Sequence, residues 1–180
     1  MRGSMNDDDI LTIAPSDIET TATIGPSLLA LNNAHARDLS WLEPDRFFGL
    51  VGQAFLARRI GRADAFLLGF DQDADYDSPN FLWFRARYER FVYVDRIVVA
   101  PWARGRGHAR RLYADLFRHA ALAGHERIVC EINADPPNVA SDELHARQGF
   151  VVVGSAKLPD SGKTVRYFSR RLSRPTLPTS

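Results

Sequence analysis

A short turn rich in arginine and glycine offers the clearest chemistry in this sequence. It runs from Arg104 to Arg110, between an apolar stretch that ends at Pro101 and a segment of helical periodicity. Glycines such as Gly105 and Gly107 let backbone N–H groups approach an anion closely, and the start of a helix adds its dipole. Guanidinium groups add charge-assisted hydrogen bonds. The turn therefore predicts a site for a phosphate or a diphosphate.

The spacing of this turn excludes two common nucleotide sites. It lacks the Lys-Ser/Thr ending of a P-loop, and Gly105, Gly107 and Ala109 do not follow the Gly-x-Gly-x-x-Gly spacing of a dinucleotide fold. ATP and NAD are therefore not expected. Taken alone, the turn also fits a solvated basic helix start, so its meaning depends on the rest of the chain.

Hydrophobic patterning predicts the elements that position the turn. Phe91 to Ala100 is the strongest strand signal, and apolar residues at helical spacing predict a helix from Gly107 to Ala123 that ends at Gly124. A strand at Arg127 to Ile132 then requires a right-handed crossover and parallel pairing.

The same patterning divides the remaining chain into strands, helices and one long loop. Before the turn we expect a strand at Ile10 to Ile13, helices at Leu28 to Leu42 and Asp45 to Gln53, a hairpin of Ala54 to Ile60 with Ala63 to Phe70, and a loop from Asp71 to Arg90. After it we expect a helix at Ser141 to Gln148 capped by Ser141 or Asp142, and strands at Phe150 to Gly154 and Thr164 to Phe168.

Together with residues further along the chain, the turn resembles the GNAT superfamily of acyl-CoA N-acyltransferases. The family motif Arg/Gln-x-x-Gly-x-Gly/Ala is matched by Arg104, Gly107 and Ala109, and Asn138 and Gly149-Phe150 fall where the family commonly has an Asn and a Gly-Phe pair. The resemblance covers Phe91 to Phe168. It implies a single-domain GNAT-like α/β fold, with a mixed central sheet of about six to seven strands flanked by about four helices.

The resemblance also implies that acetyl-CoA is the co-substrate. At the matching positions, strand backbone would bond the pantetheine arm, the turn would hold the pyrophosphate, and Asn138 would contact the coenzyme. The predicted coenzyme-binding residues are Ile97, Val98, Val99, Arg104, Gly105, Arg106, Gly107, His108, Ala109, Arg110, Asn138 and Ser141.

Acyl transfer to an amine needs a base for the amine proton and an acid for the departing thiolate. The resemblance places the base at Asp95, acting directly or through water; a salt bridge with Arg96 is the competing interpretation. His145 stands where the family usually has Tyr, and an imidazole with a pKa of about 6.5 is a stronger acid than a phenol at about 10. We predict that His145 protonates the thiolate or hydrogen-bonds it as a neutral ring. Substitutes for it are Tyr93, Tyr113 and Tyr167.

The sequence predicts only the chemical class of the substrate that accepts the acetyl group. Position in the fold that the chain resembles points to the aromatic segment Phe81 to Tyr88 and a polar helix face, and the predicted substrate-binding residues are Asn33, Trp83, Arg85 and Asn133. The expected reaction moves an acetyl group from acetyl-CoA to a primary amine of a small molecule, an amino acid or a peptide, directly in a ternary complex.

Composition limits the remaining classes. The 180 residues are 45% hydrophobic and 25% charged with a net charge of +1, so no global field favours nucleic acid or a membrane surface. The single cysteine, Cys130, cannot form an internal disulfide, and we expect it to be an unreactive residue of the core. No Cys/His cluster has zinc spacing. We therefore expect a location in the reducing cytoplasm and no bound metal. The sequence leaves open whether the chain forms a homodimer.

We expect one acyltransferase domain over residues 5–172, an expression leftover at residues 1–4 and a loosely ordered tail at residues 173–180. Two other functions remain open. One is an acetyl-CoA-binding domain without catalysis, and the other is a nucleic-acid-binding module that uses the basic turn from Arg104 to Arg111.

Overall fold

A computed structural model of the chain describes residues 9–18, 23–37, 39–159 and 161–173. The strands are β1 (Ile10–Thr12), β2 (Leu56–Ile60), β3 (Ala65–Asp71), β4 (Phe91–Val99), β5 (Arg127–Asp135), β6 (Val151–Lys157) and β7 (Thr164–Arg171). The helices are α1 (Ile24–Ala34), α2 (Pro44–Gln53), α3 (Pro79–Arg85), α4 (His108–Leu122) and α5 (Val139–Arg147), with 3₁₀ turns at Pro15–Asp17 and Pro101–Ala103. The predicted leftover at residues 1–4 and residues 174–180 of the predicted tail lie outside the described residues.

The strands form one mixed sheet in the order β1-β2-β3-β4-β5-β7-β6. This confirms the predicted α/β class and strand number, with five helices instead of about four. The chain divides into two compact units: the first unit comprises Met1–Phe70 and Asp95–Ala114, and the second unit comprises Asp71–Val94 and Asp115–Ser180. One domain over residues 5–172 stays a prediction.

The first unit contains the antiparallel strands β1, β2 and β3. Ile10 pairs with Ile60, and Leu56 pairs with Gly69. Gly61 turns the β2–β3 hairpin with a φ of 58°, a left-handed conformation that glycine adopts without a Cβ clash. The predicted hairpin is therefore confirmed. Phe47 of α2 packs edge-to-face on Phe66 of β3, with ring centroids 6.0 Å apart.

The second unit contains the parallel pairing that the crossover predicted. β4 pairs with β5 in a register that joins Phe91 to Arg127 and Tyr93 to Val129. β7 pairs antiparallel with both β5 and β6. The turn after α4 passes through Gly124, which has a φ of 80°.

Three sequence predictions about helices are wrong. The helix predicted at Leu28 to Leu42 is α1, which begins at Ile24 and ends at Ala34. Residues 71–90 are not one long loop, because α3 begins at Pro79 and places Phe81 and Phe84 in the core. Neither Ser141 nor Asp142 caps α5; Asn138 does so, and its side-chain oxygen accepts the Ser141 N–H at 3.1 Å.

Across the described ranges, no helix combines the length and apolar character needed to cross a membrane.

Candidate active site

The predicted pyrophosphate turn is an open loop of the first unit that leads into α4. Gly105 and Gly107 have φ values of 76° and 77°, a region that L side chains rarely adopt. A Cβ placed on either glycine meets no described heavy atom within 4 Å. Arg104, Arg106 and Arg110 are exposed. The loop therefore presents glycine backbone and three cations to the surroundings, an arrangement that suits an anion.

Asp64, on the hairpin turn, holds the chain just before this loop. Its carbonyl oxygen accepts the Ala100 N–H at 2.8 Å, and its carboxylate accepts the Trp102 indole N–H at 2.9 Å. On the other side, Arg104 Nη2 lies 3.4 Å from His35 Nε2, while His35 Nδ1 donates to the Leu31 carbonyl at 3.0 Å. The loop is thus fixed from the hairpin and from the end of α1.

His108 differs from the other residues of the predicted loop. Its side chain is buried, with the residue 2% exposed, and neither ring nitrogen has a hydrogen-bond partner among the described atoms. The imidazole therefore packs in the interior instead of facing the open side of the loop. A coenzyme contact from this position has to come from backbone.

Asp95, the predicted base, forms a close ion pair with its neighbour. Arg96 Nε donates to Asp95 Oδ2 at 2.5 Å, and both side chains are almost fully buried. The salt bridge with Arg96, which was the competing interpretation from the sequence, is therefore present. A carboxylate in such a pair is held in one orientation, which also suits a base, so the ion pair does not exclude the predicted role.

In the second unit, α5 brings three predicted residues together. Asn138 caps the helix through its side-chain oxygen, which leaves its side-chain NH2 group and the second lone pair of that oxygen for the predicted coenzyme contact. His145 Nδ1 lies 2.7 Å from the Ser141 carbonyl oxygen and 3.3 Å from Ser141 Oγ. Because a carbonyl oxygen only accepts, His145 Nδ1 carries the proton.

Burial sets the charge of His145. The residue is 3% exposed and packs edge-on against Phe150, with ring centroids 5.1 Å apart. Burial lowers the pKa of His145 from 6.5, against a smaller raising effect of the hydrogen bond to the Ser141 carbonyl. The neutral ring dominates at pH 7, and its proton is already donated to Ser141. This geometry argues against His145 as an acid at neutral pH.

Trp83, a predicted substrate-binding residue, is covered on both faces. Its ring stacks on Tyr167 with centroids 4.2 Å apart, and the Arg87 guanidinium lies 3.9 Å from its centroid on a cation–π contact. Gly154 makes room for the indole, since a Cβ there would lie 2.6 Å from the ring. Trp83 is thus a packed residue of the second unit.

The other predicted substrate-binding residues occupy different settings. Arg85 is exposed at the end of α3, with its guanidinium 5.4 Å from the Phe81 ring centroid. Asn133 is half-buried on β5, and its carbonyl oxygen accepts the Asn138 N–H at 3.3 Å. Asn33 uses its side-chain amide on the Leu42 backbone. These roles stay predictions, and Arg85 is the most accessible of the residues.

The substitute acids and the cysteine are all interior. Tyr93, Tyr113 and Tyr167 are buried, and the Tyr167 hydroxyl donates to Asn80 at 3.0 Å. Burial raises the pKa of Tyr167, and it also raises the pKa of the Cys130 thiol. These settings disfavour proton donation by Tyr167 and nucleophilic chemistry by Cys130. Among the residues described, no group of three or more His, Cys, Asp or Glu side chains is arranged to hold a metal ion.

Two contacts around the predicted site residues have no signal in the sequence. Arg96 pairs with Asp95, and its Nη1 also donates to Asn32 Oδ1 at 2.7 Å. Asp64 bonds Ala100 and Trp102, just before the loop. No spacing rule relates Arg96 to Asn32 or Asp64 to Trp102, because these residues lie far apart in the chain. Gly61, in the same hairpin turn as Asp64, is recognisable from the sequence as a turn residue.

Comparisons with known proteins identify the family and the fold of this chain. The sequence profile of the acetyltransferase (GNAT) family matches residues 32–150. The fold is similar to that of the ribosomal-protein-S18-alanine N-acetyltransferase from Escherichia coli, with a TM-score of 0.65 and 15% identity over 96% of this chain and 99% of that chain. A ribosomal-protein-alanine N-acetyltransferase from Brucella melitensis has a TM-score of 0.66 and 19% identity over 91% of this chain and 99% of that chain.

A protein from Salmonella typhimurium, solved with its cofactor acetyl-CoA, is similar at a TM-score of 0.66 and 16% identity, over 97% of this chain and 99% of that chain. No curated protein matches the sequence. At these identities the solved structures establish a shared fold, while the family profile spans well over half of the chain.

Proposed function

Because the chain belongs to the acetyltransferase (GNAT) family, we propose that it is an N-acetyltransferase acting on a primary amine of a small molecule, an amino acid or a peptide. Acetyl-CoA is the co-substrate. The observation that supports this most directly is the loop at Gly105 and Gly107, whose positive φ values and open Cβ positions suit close approach of a diphosphate.

The residues of the first unit fit the coenzyme. The exposed side chains of Arg104, Arg106 and Arg110 would pair with phosphate oxygens, and the first N–H groups of α4 would point at them. The backbone of Ile97 to Val99 on β4 would bond the pantetheine arm. When bound, acetyl-CoA supplies an acetyl group activated as a thioester.

Asp95 would act as the base for the acceptor. An amine attacks only when it is neutral, so a carboxylate has to take its proton directly or through water. The side chain of Asp is shorter than that of Glu, which favours a water relay. The pair with Arg96 keeps the carboxylate in one orientation during this transfer.

Protonation of the departing thiolate would come from water instead of His145. The neutral imidazole of His145 donates its single N–H to the Ser141 carbonyl, and burial disfavours the imidazolium. This observation also favours the second candidate function, a domain that binds acetyl-CoA without transferring its acetyl group. Turnover with an amine separates the two functions.

The coenzyme assignment is tested by titration calorimetry with acetyl-CoA. Gly107→Val adds a branched side chain at a positive φ in the loop, and we expect it to weaken binding by at least about tenfold, roughly 1.4 kcal/mol. Gly49→Ala is the matched control, since Gly49 lies in α2 with an open Cβ position. No binding of acetyl-CoA at micromolar concentration by the unmodified chain would contradict the proposal.

Catalysis is tested by thiol release from acetyl-CoA across a panel of amines, amino acids, polyamines and short peptides. We expect one class to turn over, and Asp95→Asn to lower kcat by about 100-fold or more with unchanged acetyl-CoA affinity. Binding without thiol release for any acceptor would support the non-catalytic domain. Tight RNA binding that weakens steeply with salt would instead favour the nucleic-acid-binding module.

A further inference from the structure

A buried hydrogen-bond chain in the first unit joins β4 to the end of α1. Arg96 is 4% exposed, and its guanidinium donates from Nε to Asp95 and from Nη1 to Asn32 Oδ1 at 2.7 Å. Asn32 is 0% exposed and lies near the end of α1. The carboxylate that the proposed function uses as a base therefore belongs to an interior network.

The network continues into the connection between α1 and α2. Asn32 Nδ2 donates to the Ser40 carbonyl at 3.0 Å and to Asn33 Oδ1 at 2.9 Å. Asn33 in turn accepts the Leu42 N–H at 3.0 Å and donates to the Leu42 carbonyl at 2.9 Å. Both asparagine amides thus bond through oxygen and nitrogen, and the network reaches the backbone at Ser40 and Leu42.

The geometry of the guanidinium makes these contacts interdependent. Its N–H groups lie in one rigid plane, so a bond from Nη1 to Asn32 also fixes the direction in which Nε points. That direction fixes the carboxylate of Asp95. A buried guanidinium also requires a paired anion, so the two side chains hold each other in place.

We infer that Arg96 and Asn32 are positioning residues that orient the Asp95 carboxylate for base catalysis, anchored on the α1–α2 connection. This inference rests on the proposed function, because it assumes that Asp95 accepts the acceptor proton. It assigns no contact with substrate to Arg96 or Asn32. Instead, both act through Asp95.

Two substitutions separate orientation from charge. Arg96→Lys keeps the positive charge but removes the planar fork, and Asn32→Ala removes the acceptor that fixes the fork. We expect each variant to lower kcat by about 10- to 100-fold, because misplacing a catalytic group has a cost of this order. Acetyl-CoA affinity by calorimetry should stay within about twofold. Arg62→Lys, at an exposed arginine of the hairpin turn, is the matched control and should retain wild-type kcat.

A double variant gives a measurement that a purely structural role would not change. In the Asp95→Asn background, Arg96→Lys should have little further effect on kcat, because the group that it orients is already disabled. The rates are measured with the best acceptor of the amine panel. Independent, multiplicative losses would overturn the inference.

The outcomes also distinguish this inference from the proposed function. If Asp95→Asn lowers kcat while Arg96→Lys and Asn32→Ala stay within about twofold of wild type, the base stands and the positioning role is overturned. If Asp95→Asn has no effect on a chain that binds and turns over acetyl-CoA, the base assignment fails and the positioning role fails with it. Absence of acetyl-CoA binding would contradict the proposed function itself.

Hydrogen exchange tests the network without an acceptor and without the two buried variants. Asp95→Ala removes the carboxylate from the network, and we expect the Leu42 amide, which donates to Asn33, to exchange at least about fivefold faster. The Phe47 amide of α2, which donates to the carbonyl of Glu43 just before the helix, serves as the internal reference. Unchanged exchange at Leu42 would overturn the link between Asp95 and the α1–α2 connection, even if Arg96→Lys and Asn32→Ala fail to fold.

Discussion

At the residue scale, the contacts of His145 decide its chemistry more than its position in the sequence does. Alignment with a family motif placed it where a proton donor is usual. The interior, however, favours its neutral form and directs its single proton to a backbone carbonyl. Sequence reasoning identified a residue type suited to acid catalysis but had no access to its burial or tautomer.

Substitution of His145 tests this interpretation. His145→Gln keeps a side-chain donor but cannot act as an acid, and we expect kcat at pH 7.5 to change by less than about threefold. The pH–rate profile of the wild type should show no loss of activity as pH rises through 6.5, the ordinary pKa of His. A loss of tenfold or more in a folded His145→Gln protein, with a wild-type rate that declines as pH rises, would restore the acid role.

Gly154 provides a second prediction at this scale. In Gly154→Ala the new Cβ would lie 2.6 Å from Trp83 Cζ2, and the indole is already held between Tyr167 and Arg87. We expect a loss of about 1–3 kcal/mol in the free energy of unfolding, as for other overpacked sites. Urea unfolding followed by tryptophan fluorescence measures it. Wild-type stability with an unchanged spectrum would show that Trp83 moves aside freely.

At the element scale, the end of α4 illustrates how helix, turn and neighbouring strand are joined. Gly124 takes a left-handed φ of 80°, and the Arg90 side chain donates to the carbonyls of Ala123 and Gly124 at 3.0 and 2.8 Å. Ala123 and Gly124 follow the last residue of α4, so these bonds satisfy carbonyl groups of the turn that leaves the helix.

We expect Gly124→Ala to lower the free energy of unfolding by about 1–2 kcal/mol, because an L side chain is strained at this φ. A Cβ at this position would also lie 3.2 Å from Arg90 Nη2. Gly52→Ala is the control, since Gly52 lies in α2 with open space around its Cβ and should be neutral or slightly stabilising. Equal denaturation midpoints for the two variants would contradict the prediction.

Elements with local signals were predicted, whereas those that depend on distant packing were not. The hairpin at Gly61 and the helix that ends at Gly124 each carry a glycine where the backbone turns left-handed. α3 was missed because its seven residues are too few to show a helical period, and their aromatic content was interpreted as part of a functional loop. Its Phe81 and Phe84 become recognisable as core only beside Phe91 and Tyr93.

At the scale of the whole molecule, His125 and His145 predict a dependence of stability on pH. Burial lowers the pKa of both His125 and His145 below 6.5. In the window between the lowered folded values and 6.5, the unfolded chain binds more protons than the folded chain, so acid favours unfolding. Stability contributed by the neutral rings is complete above 6.5, declines as pH falls through this window, and levels off below the folded pKa values.

We therefore expect the free energy of unfolding to decrease between about pH 7.5 and about pH 5.5, with a smaller decrease in His145→Gln. Urea unfolding at intervals across this range measures both slopes. A stability that is constant or rises toward acid would contradict the prediction. An identical slope in His145→Gln would assign the effect to other groups.

Only the local part of the candidate site has a signal in the sequence. The loop from Arg104 to Ala109 is predicted as an anion site because close approach to an anion imposes small residues at fixed spacing, and this role stays a prediction. The hydrogen bonds that hold Asp95 could not be predicted from the sequence, because the bond from Arg96 to Asn32 joins residues that only the fold brings together. Folding, not chain proximity, defines this part of the site.

The last turn of α1 contacts β4 and the loop after it at two points: Asn32 bonds Arg96, and His35, just past the helix end, meets Arg104. Residues three apart on a helix differ by about 4.5 Å along its axis. The end of α1 thus sets the distance between Asp95, the predicted base, and Arg104, the predicted phosphate ligand. Inserting one residue between Leu31 and Asn32 would rotate the turn by about 100° and detach both contacts at once.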